Sequence, residues 1–258
     1  LFRSYYEKLG QLFMVATWSN KDSIHINYIT GLIDSLKIGG VIFFQGGPVR
    51  QANLTNFYQS RSRIPLMVGI DGEWGLSMRL DSTIRFPRQM TLGAGNSDSL
   101  VLEMGREIGR QCRRIGIHIN FAPDVDINNN PKNPVINSRS FGEDRFAVAR
   151  LGKLYMKGMQ EEGVMACAKH FPGHGNADTD SHFSLPLINQ PADAIDSIEL
   201  YPFKELISEQ VASVMVAHLQ VPSLDSSAGI ASTLSKPIVT GLLRGKLGFN
   251  GLIITDAL

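Results

Sequence analysis

The sequence predicts an α/β protein of the (β/α)₈ TIM-type barrel class, truncated after its seventh strand. Seven short apolar runs recur along the 258 residues, and helical patterns separate them. Most of these runs are continuously apolar rather than alternating, which is typical of parallel strands that are covered on both faces. Repeated alternation of strand and helix leaves two architectures, a barrel or a doubly wound sheet.

The predicted strands are short and often β-branched. They cover residues 12–17, 40–44, 66–70, 119–122, 165–168, 213–217 and 252–255. Four helices are predicted between strands, over residues 99–115, 146–162, 194–210 and 236–247. In the first of them, Leu100, Met104 and Ile108 follow one another at four-residue steps, which forms one apolar face. Gly163 is a C-cap for the second helix, and Pro237 fits the first turn of the last.

The residues that follow the strands favour the barrel. Five strands end beside titratable side chains, which are Asp71, Asp124 with Asp126, Lys169 with His170, His218, and Asp256. A (β/α)₈ barrel builds its active site at the carboxyl ends of several strands. A doubly wound sheet instead places ligands near one switch point, usually with a glycine-rich phosphate turn. No such turn follows any strand, so we expect a barrel whose eighth strand lies beyond residue 258.

Composition excludes several classes of protein. The chain has 25 Lys and Arg against 24 Asp and Glu, and this net charge of +1 gives no general attraction to nucleic acid. Cys112 and Cys167 are too few for a disulfide scaffold or a cysteine-rich zinc fold. No apolar run approaches the roughly 18 residues of a membrane span. We expect an enzyme with a small or uncharged substrate; the compartment, cytoplasmic or exported, and the oligomeric state are left open.

The loop that leaves the fifth strand, residues 169–182, carries the most chemistry. It contains three histidines, two aspartates and two glycines. Asp180 stands two residues before His182, and in a turn this spacing permits a hydrogen bond that orients the imidazole and raises its pKa. Such a histidine can act as general acid and then as general base. Two other interpretations stay open, a solvated polar loop or a metal site. The metal ligands would be His170, His174, Asp178 and His182.

The remaining candidate residues also have structural alternatives. Asp256 follows an apolar strand, where helix N-caps and turn residues are common as well. Asp71 stands near Trp74, and a carboxylate beside an aromatic ring is typical of a sugar site, although the segment also fits a simple turn. Arg79 and Arg139 could donate paired hydrogen bonds to substrate oxygens or belong to surface ion pairs.

Together, these segments resemble glycoside hydrolase family 3, and within it the β-N-acetylglucosaminidase branch. The signature of that branch is similar to KHFPGHG at 169–175, DSH at 180–182 and LP at 185–186. Shorter matches are LGQLF at 9–13, GID at 69–71, NFAP at 120–123 with Asp126, RSFG at 139–142, and LGF at 247–249 through Asp256. The resemblance covers nearly the whole chain. It implies the family's (β/α)₈ barrel and identifies residues 1–258 as the N-terminal barrel domain, with the C-terminal strand and helices missing.

The resemblance also implies roles for individual residues. Asp256 matches the catalytic nucleophile, which forms a covalent glycosyl-enzyme intermediate with net retention, and His182 matches the acid/base. Asp180 matches the residue that orients this histidine. The positions that hold the sugar hydroxyls in the −1 site are matched by Asp71, Arg79, Arg139, Lys169 and His170. No metal or other cofactor is implied.

One stretch departs from the family pattern. After Asp71 the family usually has QEGGR, whereas this chain has GEWGL at 72–76, and Arg79 falls at the later arginine position. We expect a retaining exo-β-N-acetylglucosaminidase that releases terminal GlcNAc from glycans, with peptidoglycan-derived muropeptides as the natural substrate. The alternatives are another family 3 β-glycosidase, such as a β-glucosidase, and a barrel that binds glycans without catalysis. The family's glucosidases lack the Asp-Ser-His loop, which argues against the first alternative.

Overall fold

The computed structural model describes residues 4–95, 97–177 and 185–257. Its seven strands are parallel and form one sheet in chain order. They are β1 (Met14–Thr17), β2 (Gly40–Phe43), β3 (Met67–Ile70), β4 (Ile119–Asn120), β5 (Met165–Phe171), β6 (Ser213–Val216) and β7 (Leu252–Thr255). A sheet in which each strand pairs with the next one along the chain is the arrangement of a (β/α) barrel, so the predicted fold class is confirmed.

Helices connect the strands and cover the outside of the sheet. They are α1 (Tyr5–Gly10), α2 (Ser23–Leu36), α3 (Pro48–Arg61), α4 (Gln89–Ala94), α5 (Asp98–Arg114), α6 (Arg145–Glu161), α7 (Ala192–Ala194) and α8 (Leu200–Ser208). Short 3₁₀ turns occur at Leu76–Met78, Asn137–Arg139 and Ser232–Leu234, and π-helical segments at Ile195–Glu199 and Pro237–Lys246. Within the described ranges, no helix combines the length and apolarity needed to cross a membrane.

The sequence patterns located α5 and α6 to within one residue at each end, and missed α2 and α3. The buried face of α3 includes Gln51 and Thr55, so its apolar periodicity is weak. The predicted helix 194–210 is interrupted by the π-helical turn Ile195–Glu199, which joins α7 to α8. That turn carries a buried glutamate, Glu199.

Apolar side chains form two layers, one inside the sheet and one between sheet and helices. The interior layer is small and rich in sulfur. It contains Ile119, Phe121, Cys167 and Met215, with Met14, Ile42, Met67, Met165 and Ile254 packed against them. The outer layer is the main core and runs continuously from α2 to the segment after β6. Inward and outward side chains alternate along each strand, as they do in closed barrels.

Helices α5 and α6 meet along a seam of glycines. A Cβ atom on Gly105 would lie 2.4 Å from the carbonyl oxygen of Tyr155, and one on Gly158 would lie 2.4 Å from that of Leu102. The two backbones therefore touch without side chains between them, which fixes the position of α6. The Tyr155 hydroxyl, on α6, reaches the carbonyl oxygens of Gly72 and Glu73 at 3.3 and 3.0 Å, directly after β3.

Candidate active site

Several charged side chains lie above the interior layer, because they follow the interior-facing residues of their strands. Every second residue of a strand shares a face, and the ladder continues past β7, because the Asp256 amide donates to the Val216 carbonyl at 2.9 Å. The interior rows are therefore Met67-Gly69-Asp71, Met165-Cys167-Lys169 and Ile254-Asp256. Each row begins with apolar or small residues and ends, at the carboxyl edge of the sheet, with a charged one.

Lys169 lies at the centre of the charged cluster. Its Nζ is 2.6 Å from Oδ1 of Asp71 and 2.7 Å from Oε1 of Glu73. Burial by itself lowers the pKa of this ammonium group, but the two carboxylates outweigh it and raise the pKa above its ordinary value. Lys169 is therefore a permanent cation, and it ties the end of β5 to the segment after β3.

Glu73 also forms a second ion pair, with Arg139. Arg139 donates from Nε to both Glu73 oxygens, at 3.1 and 3.0 Å, and from its terminal nitrogen to Oε1 at 2.7 Å. Burial opposes ionisation of Glu73, yet Lys169 and Arg139 hold the pKa of the carboxyl well below its usual range. In the sequence, the only signal for Glu73 was that an acidic residue is retained in the divergent stretch 72–76.

Asp71 is held by two cations but stays accessible. Besides Lys169, its Oδ2 pairs with Arg79, whose Nε also donates to the Asp71 carbonyl oxygen at 3.0 Å. Burial and Glu73 raise the pKa of this carboxyl, while Lys169 and Arg79 lower it, and the result lies below its ordinary value. With 18% of the side chain exposed, Asp71 offers a charged acceptor at the surface of the cluster.

His170 is oriented from both ring nitrogens. Its Nδ1 lies 2.6 Å from Oδ2 of Asp126, and its Nε2 lies 3.2 Å from a terminal nitrogen of Arg139. Because the guanidinium can only donate, Nε2 accepts and the ring proton is on Nδ1, directed to Asp126. The other oxygen of Asp126 accepts the backbone amide of His174 at 2.7 Å. Asp126 thus joins the end of β4 to the loop after β5.

Asp124, Asp126 and His170 are the described residues closest to a metal-binding arrangement, since one ligand atom from each lies within 4.8 Å of the others. The positive charge of Arg139 makes this position unfavourable for a divalent cation. Its Nε is 3.7 Å from Oδ2 of Asp124, and its terminal nitrogen occupies the lone pair of His170. Burial and the adjacent Asp126 raise the pKa of Asp124 well above its ordinary value, which favours the uncharged carboxyl and weakens it as a ligand for a cation.

The base of the loop after β5 is held by asparagines from the segment after β4. Asn130 donates to the carbonyl oxygen of Ala177 at 3.2 Å, and Asn133 donates to those of His174 and Gly175 at 2.8 and 2.9 Å. A Cβ on Gly175 would lie 1.7 Å from the Ile127 carbonyl oxygen, so only glycine fits there. These bonds and this close approach hold residues 173–177 in place.

Glu199 lies beneath the start of the same loop. Gly173 has φ +127° and packs against the Glu199 side chain, whose Oε1 accepts a hydrogen bond from Asn129 at 2.8 Å. Among the described residues, its Oε2 has no hydrogen-bond partner. Burial raises the pKa of Glu199 to about 7, with a further contribution from the charge of Asp126. Nothing in the sequence pattern marked this residue.

The structure brings five of the predicted site residues into one network, namely Asp71, Arg79, Arg139, Lys169 and His170. Asp256 lies half-buried at the end of β7, where its Oδ1 accepts the Ala257 amide at 2.8 Å. The charges of both Asp71 and Asp256 act on Cys167, whose pKa burial raises to about 12. Asp178, Asp180 and His182 lie outside the described residues. The catalytic and binding roles of all these residues stay predictions.

A parallel sheet in chain order, with charged groups converging at its carboxyl edge, defines an α/β barrel of the class that carries an enzyme active site on that face. The family pattern described as "Glycosyl hydrolase family 3 N terminal domain" matches residues 4–258. The chain therefore belongs to glycoside hydrolase family 3.

Known proteins and solved structures that resemble this chain are consistent with this family. The chain is 38% identical to Beta-hexosaminidase A of Pseudoalteromonas piscicida, over 89% of this chain and 42% of that protein. A family 3 β-N-acetylglucosaminidase of Paenibacillus sp. str. FPU-7 matches with a TM-score of 0.92 and 37% identity, over 100% of this chain and 50% of that one. The β-glucoside phosphorylase BglX bound to 2FGlc has a TM-score of 0.93 and 29% identity, over 99% and 47%. This chain thus spans about half the length of these relatives.

Proposed function

We propose that the protein containing this chain is a retaining exo-β-N-acetylglucosaminidase that removes terminal GlcNAc from glycans. The observation that carries the proposal is the network around Lys169, which joins Asp71 and Glu73 through 2.6 and 2.7 Å ion pairs at the carboxyl edge of the sheet. The names of relatives support the sugar, since two of those compared above are a β-hexosaminidase and a β-N-acetylglucosaminidase. Peptidoglycan-derived muropeptides are the proposed natural substrate, by the resemblance of the loop after β5.

In this proposal, the network fixes the terminal sugar before any bond breaks. Asp71 is ionised and partly exposed, so it can accept hydrogen bonds from two sugar hydroxyls, while Arg79 and Lys169 donate to their oxygens. His170 is held with its proton on Nδ1 and keeps Arg139 in place. Every charge in this group has a partner at hydrogen-bond distance, which leaves little reorganisation to occur on binding.

The proposed reaction has two steps. Asp256 attacks the anomeric carbon as the bond to the leaving oxygen breaks, and His182, oriented by Asp180, transfers a proton to that oxygen. Water then gives its proton to His182 and attacks the anomeric carbon, which releases Asp256 and retains the β configuration. This mechanism needs no metal, so a chelator should leave the rate unchanged.

The test is nitrophenol release from β-GlcNAc and β-glucoside substrates, by protein expressed from the complete reading frame. Activity selective for GlcNAc that disappears in Asp256→Asn, with unchanged circular dichroism, is the expected result. A preference for the glucoside would instead favour the β-glucosidase alternative. Because one structural relative is a phosphorylase, the assay is run with and without phosphate. Absence of turnover with either sugar, from folded protein, would favour a glycan-binding barrel.

A further inference from the structure

Two aromatic residues stand on the same edge of the sheet as the charged cluster. Trp18 and Phe44 directly follow β1 and β2, and they continue the interior rows that begin at Met14 and Ile42. The Phe44 amide donates to the Thr17 carbonyl at 3.0 Å, so strand pairing extends to these positions. Alternation therefore places both rings on the interior face, at the carboxyl edge. Neither ring has a role in the proposed chemistry.

The two rings connect directly to the charged cluster. Trp18 and Phe44 stack with centroids 5.9 Å apart and planes at 28°. The Arg79 guanidinium lies 4.8 Å from the Phe44 centroid, and Arg79 pairs with Asp71. Since β1, β2 and β3 are neighbours at about 4.8 Å spacing, Trp18 stands roughly 10 Å from Asp71. Both residues therefore lie at the same edge of the sheet, two strands apart.

Trp18 is held in a fixed orientation. The Nε2 atom of His25 lies 3.3 Å from the Trp18 backbone amide and 3.1 Å from the Thr17 hydroxyl, and its ring meets the indole edge-on at 5.4 Å. Burial and the nearby Lys21 lower the pKa of His25, against a smaller effect of Asp22, which favours the uncharged ring that can accept these bonds. The indole is thus preorganised while remaining partly exposed.

An open depression of about 480 Å³ adjoins this ring. Its lining consists of Trp18, Lys21, Asp22, Ile24, His25 and Tyr28. One cation and one anion leave it without net charge, so it is suited to a neutral ligand more than to a phosphate or a charged peptide. Aromatic faces with hydrogen-bonding groups at their edges match a pyranose, which has an apolar C–H face and a rim of hydroxyls.

We propose that Trp18 is the stacking platform for the sugar on the leaving-group side of the scissile bond. The substrate class is then an oligosaccharide whose second pyranose rests on the Trp18 indole, while the terminal sugar occupies the cluster around Asp71. This inference rests on the proposed function for the identity of the terminal sugar. It adds a specificity-determining residue, because single-sugar glycosides with small aglycones would not reach Trp18.

The test compares two substrates with wild-type protein and Trp18→Ala. One substrate is the disaccharide GlcNAc-β-1,4-GlcNAc, and the other is methyl β-GlcNAc, whose aglycone has no ring to stack; released GlcNAc is measured for both. We expect Trp18→Ala to lose about 10-fold in kcat/KM on the disaccharide, the size of one aromatic stacking contact. The methyl glycoside should change less than about 2-fold, and Trp18→Phe should recover most of the loss.

Three results would overturn the inference: an equal loss on both substrates, no loss on the disaccharide, or a loss that appears in the comparison variant Trp74→Ala and not in Trp18→Ala. A lower Tm with unchanged substrate ratios would assign Trp18 to packing or to a protein contact, and would overturn the inference as well.

If wild-type protein turns over neither substrate, the proposed function fails. Calorimetric titration with the disaccharide and with GlcNAc then tests Trp18 alone, and disaccharide affinity must weaken about 10-fold in Trp18→Ala.

Discussion

Replacing Glu199 by Gln should make the stability of the protein less dependent on pH. The folded state raises the pKa of this carboxyl from 4.5 to about 7, chiefly by burial. Folding therefore favours the protonated form, and this stabilisation is complete below pH 4.5 and is lost as the pH rises through 7. At about 1.4 kcal/mol per pKa unit, the loss amounts to roughly 3 kcal/mol between pH 5 and pH 8.

Urea unfolding at pH 5 and pH 8 measures this difference. Gln keeps the oxygen that accepts from Asn129 and carries no charge at either pH, so Glu199→Gln should be nearly as stable as wild type at pH 5 and roughly 3 kcal/mol more stable at pH 8. Glu209→Gln is the matched control, since Glu209 is exposed directly after α8. If the stability difference between Glu199→Gln and wild type is the same at both pH values, the reasoning about this buried carboxyl is wrong.

The other predictions concern the loop after β5. His182→Ala should slow substrates with poor leaving groups most, because proton donation matters most for them; equal rate losses across a series of aryl β-GlcNAc substrates would remove His182 from the acid role. Asp180→Ala should lower the upper kinetic pKa of kcat/KM, and an unchanged pH profile would contradict the Asp-His pair. Gly175→Ala should destabilise the fold by about 1–3 kcal/mol, because a Cβ would meet the Ile127 carbonyl oxygen at 1.7 Å. Gly31→Ala in α2, where nothing lies within 4 Å, should be neutral or stabilising by thermal unfolding.

The sheet could be predicted because burial on both faces gives a strong local signal. All seven predicted strands are present, and Leu252–Thr255 matches residue for residue. The fifth strand is longer than its apolar run, since β5 continues through Lys169 and His170 to Phe171. A charged residue ended the prediction there, yet Lys169 is buried because Asp71 and Glu73 neutralise it. No pattern of a single strand contains that information.

Some residues of the candidate site could likewise be predicted from the sequence, and others could not. Residues directly after strands were identified, because their position follows from the sheet alone. Glu73 and Arg139 form an ion pair although they are 66 residues apart in the sequence. A contact between such distant segments produces no periodic pattern in the sequence. Glu199 was missed for a related reason: it occupies a π-helical turn inside a stretch predicted as one regular helix. Sequence patterns therefore located the edge of the sheet but not the contacts that set the charge state of its residues.

The glycine seam between α5 and α6 has a consequence for how this active site can diversify. Tyr155, on α6, hydrogen-bonds to the carbonyl oxygen of Glu73, so the close packing at the seam also sets the position of the segment that carries Glu73. A single methyl group added at the seam would therefore move a buried charge. Trp18 does not depend on that seam, because it is held by its own strand, by His25 and by the stacked ring of Phe44. Substitutions at Trp18 reach the charged cluster only through the side chains of Phe44 and Arg79, whereas an added methyl group at the glycine seam acts on it through the backbone that carries Glu73.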